Sequence, residues 1–108
     1  MVSSAINKLT AMAGEATYYN PGVGTGACGK VHGDNEHIVA IPKIFFKSAN
    51  PNADPMCNTC VRVKGPNGSL VVRITDICPT CAATAIDLSP AAFSAIGVME
   101  KGRIDISW

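Results

Sequence analysis

The chain has 108 residues, enough for one domain with one modest hydrophobic core but not for a second folded module. Nine basic residues stand against eight acidic ones with no basic run, which argues against nucleic acid or an anionic membrane as the partner. No apolar run is long enough to cross a membrane. We therefore expect a single domain that acts on a neutral partner.

The first part of the chain predicts an extension followed by a strand. Residues 1–13 have apolar side chains at helical spacing without a second face for packing, and Lys8 interrupts the continuous apolar core that a signal peptide needs. We interpret them as an N-terminal extension without a function and expect no leader there. Residues 14–20, GEATYYN, favour extended structure and predict the first strand, with Thr17 and Tyr19 on one face.

A glycine-rich segment and a buried strand come next. Residues 21–29, PGVGTGACG, lack the lysine and serine or threonine of a P-loop, so we interpret them as a connection held by Cys28 rather than as a phosphate cradle. Residues 37–41, HIVAI, predict a buried strand, and Pro42 suits the start of a short helix. Both histidines of the chain are interpreted as surface or capping residues.

A hairpin is the clearest turn signal in the chain. Asn67 and Gly68 readily take the positive φ angles of a tight turn, so residues 60–64 and 70–76 should pair as strands. The second of these strands alternates apolar and polar residues and ends at Asp76.

The segment after the hairpin carries the most suggestive chemistry. In residues 85–88, AIDL, alternation turns the apolar residues to one face and Asp87 to the other, so a carboxylate lies on the solvated side of a strand. Ser89 can cap the next helix, Pro90 suits its first position, and Gly97 ends it. The spacing alone is equally consistent with Asp87 being only a solvated strand residue or a partner for an arginine.

The last segment, residues 103–108, alternates as a strand again. Short strands at regular intervals with little helix are typical of a small barrel. We therefore assign the chain to the all-β class.

Five cysteines in so short a chain indicate either disulfides formed in an oxidising compartment or a metal site. Cys57-Asn-Thr-Cys60 and Cys78-Pro-Thr-Cys81 are two CxxC pairs separated by seventeen residues, a spacing found in four-cysteine zinc sites. Against zinc, Cys28 lies outside the set, and neither pair has the glycine that commonly follows a zinc knuckle. The residues favour disulfides and leave zinc open.

Five segments together resemble the expansin-like proteins, and most closely the single-domain fungal loosenins. They are GEATYYNPGVGTGACG at 14–29, HIVAIP at 37–42, ITDICPTC at 74–81, AIDLSPAAF at 85–93 and GRIDISW at 102–108. They follow the family's order and cover nearly the whole chain after residue 13. The resemblance implies a six-stranded double-psi β-barrel with short helices over residues 14–108, with an open polysaccharide groove. It also implies a secreted, monomeric fungal protein that loosens plant cell walls without hydrolysis.

The resemblance assigns roles to individual residues. By position, Thr17, Asp76 and Asp87 match the polar groove residues on which the family's non-hydrolytic activity depends, and Asp87 is the acid of the segment that corresponds to the plant proteins' His-Phe-Asp motif. The nearby candidates for polysaccharide contact are Tyr18, Tyr19 and Asn20. The implied partner is a cell-wall polysaccharide, with no cofactor and no metal.

The resemblance also bears on the cysteines. In the family, the cysteine of the glycine loop pairs with the first cysteine of the later cluster, which points to Cys28 with Cys57. All five cysteines are candidates for disulfides, and the connectivity of Cys60, Cys78 and Cys81 stays open at this stage.

The chain departs from the family pattern in two places. Some bacterial relatives have an aromatic residue two positions after the first groove aspartate, where this chain has Cys78. Full expansins carry a second, cellulose-binding domain beyond the matched segments, so we do not expect strong binding to crystalline cellulose.

Two other functions remain alternatives. One is a polysaccharide-cleaving enzyme, like the family 45 endoglucanases or the lytic transglycosylase rare lipoprotein A, which share this barrel. Asn20 stands where those endoglucanases carry their catalytic base, and because an amide cannot take up the proton we expect no hydrolysis. The other is a zinc-ribbon interaction module.

Overall fold

The protein forms a closed six-stranded barrel with one short α-helix, seen in a computed structural model that describes residues 12–23, 26–46 and 54–108. The predicted all-β class and barrel are thereby confirmed. Most of the extension predicted for residues 1–13 lies outside the described residues, and its boundary with the domain stays a prediction. Among the described residues, no helix has the length and apolar character needed to span a membrane.

The strands are β1 Ala13–Tyr18, β2 Ile38–Pro42, β3 Cys60–Gly65, β4 Gly68–Cys78, β5 Ala85–Leu88 and β6 Ile104–Ser107. Helix α1 spans Pro90–Ile96, and single 3₁₀ turns occupy Pro21–Val23, Lys43–Phe45 and Met99–Lys101. The first strand therefore ends two residues earlier than predicted, and the short helix expected after Pro42 is a 3₁₀ turn.

The strand order around the barrel is β1-β5-β2-β4-β3-β6. Strands β3 and β4 form the predicted hairpin, whose turn places Gly68 at a φ of 143°, a region that favours glycine. Two pairs, β1 with β5 and β2 with β4, are parallel, and the other neighbours are antiparallel. The parallel pairs join segments that lie far apart in the sequence, so no local turn signal could reveal them.

The core fills the barrel and is closed on one side by α1. Its members are aliphatic residues from every strand together with Ala92, Phe93 and Ile96 of the helix. Ser89 caps α1 by accepting a hydrogen bond from Ala92 N, and its hydroxyl also donates to Glu36 O, which ties the helix start to the loop before β2. The predicted cap and the helix end at Ile96 are confirmed. Full burial of Phe93 alone is worth about 1.5–3 kcal/mol.

Candidate functional site

Four neighbouring strands bring the three predicted polar residues into one row. Strands β4, β2, β5 and β1 lie side by side, and the register pairs Asp76 with Ala40, Ala40 with Asp87, and Asp87 with Thr17. Because directly opposed residues on paired strands point to the same face, these side chains share one face of the sheet, on which Ala40 is buried and the three polar residues are half-buried. With strands about 4.8 Å apart, the Asp76 and Asp87 backbones lie roughly 10 Å from each other. We call Thr17, Ala40, Asp76 and Asp87 the polar row.

Asp87 is held by a direct partner on the neighbouring strand. The Thr17 hydroxyl donates a hydrogen bond of 2.9 Å to Oδ1 of Asp87. Burial raises the pKa of the Asp87 carboxyl, and the negative charge of Asp76 adds to the rise, whereas the Thr17 hydrogen bond and the charge of Arg103 oppose it. The side chain is half-buried. Asp87 is therefore not simply a solvated strand residue. Its carboxyl group retains a proton more readily than the carboxyl group of an exposed aspartate does.

Asp76 is braced by the glycine-rich segment. Its Oδ1 accepts hydrogen bonds from Ala27 N at 2.7 Å and from Ile77 N at 2.8 Å. The segment lies directly on β4, because Cys28 N donates to Thr75 O at 3.2 Å and a Cβ at Gly26 would come within 2.8 Å of the same oxygen. Asp76 therefore has a structural role in addition to its place in the polar row. The glycine-rich segment is therefore a connection, as the sequence predicts, and it also positions Asp76.

The two tyrosines lie in different environments. Tyr19 follows the end of β1, with its backbone N donating to Leu88 O at 2.9 Å. Burial raises the pKa of its hydroxyl, the charges of Asp76 and Asp87 raise it further, and a hydrogen bond with Thr75 opposes the rise. The phenol is therefore neutral and close to both carboxylates of the polar row.

Tyr18, by contrast, packs against the helix. Its ring lies 4.8 Å from that of Phe93, and its hydroxyl donates to Met99 O at 3.4 Å. The side chain is 38% exposed. Tyr18 is therefore an accessible aromatic surface next to α1, while Tyr19 is the tyrosine that the structure brings to the carboxylates.

Asn20 is engaged with a residue that the sequence did not single out. Its Nδ2 donates to Oδ2 of Asp34 at 3.0 Å, and both residues line an open cavity of ≈ 600 Å³ with Gly22 and Asn35.

The sequence gave little reason to select Ala40, since it lies within a run of buried strand residues. The one available signal was that Ala40 is the smallest side chain of HIVAI.

The cysteines form two disulfides. Cys28 pairs with Cys57, as the resemblance implies, and Cys78 pairs with Cys81, with Cα atoms 5.4 Å apart. Cys60 is exposed and has a free thiol, so counting it among the disulfide cysteines was wrong. It opens β3 opposite Arg73, and the other cysteine of its CxxC pair, Cys57, is bonded to Cys28.

The disulfides also bear on the alternative that the cysteines bind a structural zinc. Three of the four CxxC cysteines are bonded to sulfur and cannot serve as thiolate ligands. Within the described ranges, no group of three or more His, Cys, Asp or Glu side chains could hold a metal ion. The donor set present does not suit a structural zinc.

The family is identified by a profile described as lytic transglycolase, which matches residues 11–108. The papain inhibitor of Streptomyces mobaraensis is 38% identical over 90% of this chain and 69% of its own length. An expansin of Bacillus subtilis, Expansin-YoaJ, is 37% identical over 88% of this chain but only 41% of its own length. The chain thus spans less than half of that expansin.

Solved structures give the same grouping. The Streptomyces papain inhibitor superimposes with a TM-score of 0.83 at 35% identity, covering 91% of this chain and 92% of that one. An Asp-to-Asn variant of a Clavibacter michiganensis expansin, solved in complex with cellohexaose, superimposes with a TM-score of 0.78 at 30% identity, covering 91% of this chain and 48% of that one. With its barrel and its expansin-like relatives, this chain belongs to the double-psi β-barrel family described as lytic transglycolase.

Proposed function

We propose that the protein is a secreted, expansin-like factor that binds a neutral cell-wall polysaccharide along the polar row and loosens non-covalent contacts between glycan chains. The observation that carries this proposal is the assembly of Thr17, Asp76, Asp87 and the neutral Tyr19 on one face.

The chemistry of the row suits sugar hydroxyls. Ionised carboxylates accept charge-assisted hydrogen bonds from hydroxyl groups, which are roughly twice as strong as those between neutral partners. Tyr19 and Thr17 add hydroxyls that can donate or accept. The near-balance of basic and acidic residues agrees with an uncharged ligand rather than a polyanion.

The relatives and the cysteines support the same proposal. A relative with this fold has been solved with cellohexaose, a neutral glucan oligosaccharide. Disulfides form and persist in oxidising compartments, so the Cys28–Cys57 and Cys78–Cys81 bonds favour an extracellular location.

We expect no hydrolysis from the carboxylates of the polar row. Inverting hydrolysis needs an acid and a base carboxylate about 6.5–9.5 Å apart with a water between them. Asp87, whose pKa is raised, has the character of the acid, but Asn20 cannot act as the base. Oδ1 of Asp76 is already committed to two backbone N–H groups. A lytic transglycosylase needs no attacking water, so cleavage of peptidoglycan is the enzymatic outcome that must be tested.

The test measures the mechanical weakening of filter paper and the cleavage of polysaccharides with the same protein samples. Wild type should lower the breaking force of filter-paper strips and release no soluble sugar from cellulose, xylan, mixed-linkage glucan or peptidoglycan. Asp87→Asn should lose the weakening. Asp105→Asn is the matched control, because Asp105 is an exposed aspartate on β6 and the substitution changes the net charge equally. Oligosaccharide products that vanish with Asp87→Asn would make the protein an enzyme, and unimpaired weakening by Asp87→Asn would refute the polar row as the site.

A second candidate is inhibition of a papain-like cysteine protease. It is favoured by one observation, the similarity to a papain inhibitor in both sequence and structure over most of each chain. The test is the residual activity of papain titrated with the purified protein. Stoichiometric inhibition by a protein that leaves filter paper unweakened would replace the polysaccharide proposal.

A further inference from the structure

The free thiol of Cys60 lies three residues from one end of a disulfide. Cys57, the first residue of the segment Cys57-Asn-Thr-Cys60, is bonded to Cys28, and Cys60 is exposed. The other CxxC segment, Cys78-Pro-Thr-Cys81, is closed by its own disulfide, with Cα atoms 5.4 Å apart. A segment of this length can therefore close on itself in this protein, and Cys57 differs in being bonded to a distant cysteine instead.

A β-bulge directs the two cysteines of the first CxxC segment to one face. Asn58 N donates to Ile74 O and Ile74 N donates to Thr59 O, both at 2.8 Å, so two residues oppose one residue of β4. Asn58 has a φ of 68°, the left-handed region that is typical of the first residue in one class of bulge. In a regular strand, residues three positions apart point to opposite faces, and the extra residue of a bulge reverses this relationship. Cys57 and Cys60 therefore point to the same face.

The bulge also sets how far apart the two cysteines lie. Because two residues fill the space of one, Cys57 and Cys60 are separated by about two strand positions, or roughly 7 Å. The Cα atoms of a disulfide are usually about 4.4–6.8 Å apart. Asn58 and Thr59, which lie between the cysteines, are exposed and free of core packing. A small tightening of this turn therefore brings the Cys60 thiol within bonding distance of Cys57.

These observations point to one chemical step, which goes beyond the proposed function and does not depend on it: we infer that Cys60 is an internal exchange partner for the Cys28–Cys57 disulfide. The Cys60 thiol loses its proton to solvent, and the thiolate attacks Sγ of Cys57. The Cys57–Cys60 bond forms, the Cys28–Cys57 bond breaks, and the Cys28 thiolate leaves and takes up a proton. One disulfide replaces another, so the step needs no oxidant or reductant.

The exchange removes the covalent anchor of the glycine-rich segment. Cys28 is joined to Cys57 by the disulfide, and its backbone N donates to Thr75 O at 3.2 Å. The neighbouring Ala27 N donates to Oδ1 of Asp76 at 2.7 Å. After the exchange, hydrogen bonds such as these hold the segment on β4 without a covalent bond, so the segment separates from the strand more readily. The exchange thereby loosens the support of Asp76 while the number of disulfides stays the same.

The first experiment asks whether Cys28 is released in the native protein. Wild type is incubated in mildly alkaline buffer with a low concentration of N-ethylmaleimide, which alkylates free thiols irreversibly, and is then digested and mapped without reduction. Most label should fall on the exposed Cys60, and a minor fraction on Cys28 in molecules that carry a Cys57–Cys60 bond. Cys60→Ser is the matched control and should leave Cys28 unlabelled. Label on Cys28 that is no higher in wild type than in this control overturns the inference.

The same experiment at two protein concentrations separates exchange within one chain from exchange between chains. The fraction labelled on Cys28 should stay unchanged on about tenfold dilution, because both sulfurs belong to one molecule. A fraction that falls in proportion to concentration would show that Cys60 attacks a second molecule, and the internal exchange would be refuted.

The second experiment asks whether Cys57 and Cys60 can bond on the intact barrel. Cys28→Ser frees Cys57, and oxidation by glutathione disulfide should give a Cys57–Cys60 bond and no thiol that reacts with Ellman's reagent. The amide of Ala27 should then exchange with deuterium about tenfold faster than in wild type, because the segment has lost its anchor. Glutathione adducts on both cysteines in place of the bond would refute the exchange, and an unchanged Ala27 amide would refute its effect on Asp76. Circular dichroism checks the fold, and if the variant unfolds, the alkylation of wild type decides alone.

Discussion

Oδ1 of Asp76 lies 2.7 Å from the backbone nitrogen of Ala27, which donates a hydrogen bond to it and joins β4 to the glycine-rich segment. The same oxygen accepts from Ile77 N, so one side chain holds two backbone donors. This relationship separates Asp76 from Asp87, whose described hydrogen-bond partner is a side chain on the neighbouring strand. The two aspartates of the row should therefore respond differently to substitution.

Asp76→Ala should lower the free energy of unfolding by about 1–3 kcal/mol, because it leaves part-buried backbone donors without their acceptor. Asp76→Asn keeps an oxygen acceptor and should cost less. Urea denaturation at unchanged m-value measures both. Equal losses for the two variants would show that the charge, rather than the acceptor, holds the segment.

Asp87→Asn should stabilise the protein at neutral pH. The pKa of Asp87 is raised in the folded state, so the group favours folding fully below the ordinary carboxyl pKa, and that contribution is lost as the pH rises through the raised value. At pH 7 the charged carboxylate is the disfavoured form, and a neutral amide removes the cost. The melting temperature of the variant should exceed that of wild type at pH 7, and the gap should close toward pH 3.

Asp105→Asn again controls for the change in net charge in this series. A melting temperature for Asp87→Asn well below wild type at every pH would identify Asp87 as a structural residue.

These two aspartates illustrate how far the sequence could predict the site. The β3–β4 hairpin and the Ser89 cap depend on residues adjacent in the chain, so their local chemistry predicted them. Strand alternation singled out Asp87 as a carboxylate on the solvated face, and the resemblance assigned roles to Thr17, Asp76 and Asp87. Their assembly into one row could not be predicted, because the parallel pairing that brings them together is non-local.

Other features had a weaker sequence signal or none. Alternation placed Tyr19 on the same face as Thr17, but nothing in the sequence predicted that the Tyr18 ring packs against Phe93. Asp34 reaches Asn20 through a loop whose course no periodicity describes. Cys60 matched a CxxC pair in spacing, yet its neighbour Cys57 bonds to a distant cysteine.

The two disulfides should contribute unequally to stability. Cys28–Cys57 spans a sequence separation of 29 residues and Cys78–Cys81 a separation of 3, so loop-closure entropy predicts roughly 3.6 kcal/mol for the first and 1.9 kcal/mol for the second. We expect Cys28→Ser to lower the unfolding midpoint in guanidinium more than Cys81→Ser, each combined with Cys60→Ser to prevent exchange. The reverse order would mean that the small loop is needed to keep β4 and β5 in place.

One thiol per chain should react with Ellman's reagent under native conditions, since Cys60 is exposed. Cys60→Ser should abolish the reaction without changing the melting temperature, because an exposed thiol contributes little packing. A reactive thiol that persists in this variant would show that one of the two disulfides is open in solution.

Gly26→Ala should destabilise the protein by about 1–3 kcal/mol, because the new Cβ would lie 2.8 Å from Thr75 O and push the glycine-rich segment off β4. Gly22→Ala is the matched control, with its nearest contact at 3.6 Å. Thermal melts of the two variants decide the point. Similar melting temperatures would mean that the segment can move away from β4 at little cost, and Asp76 would then lose its structural role.

Ala40 determines how the two carboxylates of the polar row are separated. Its methyl group lies in register between Asp76 and Asp87, so the two carboxylates act across a gap the width of one strand. The side chain is only 3% exposed, and overpacking at such positions typically costs 1–3 kcal/mol. A single change to valine would therefore overpack the position between the two acids while keeping every titratable group. Such a variant would separate the effect of shape from the effect of electrostatics at the polar row.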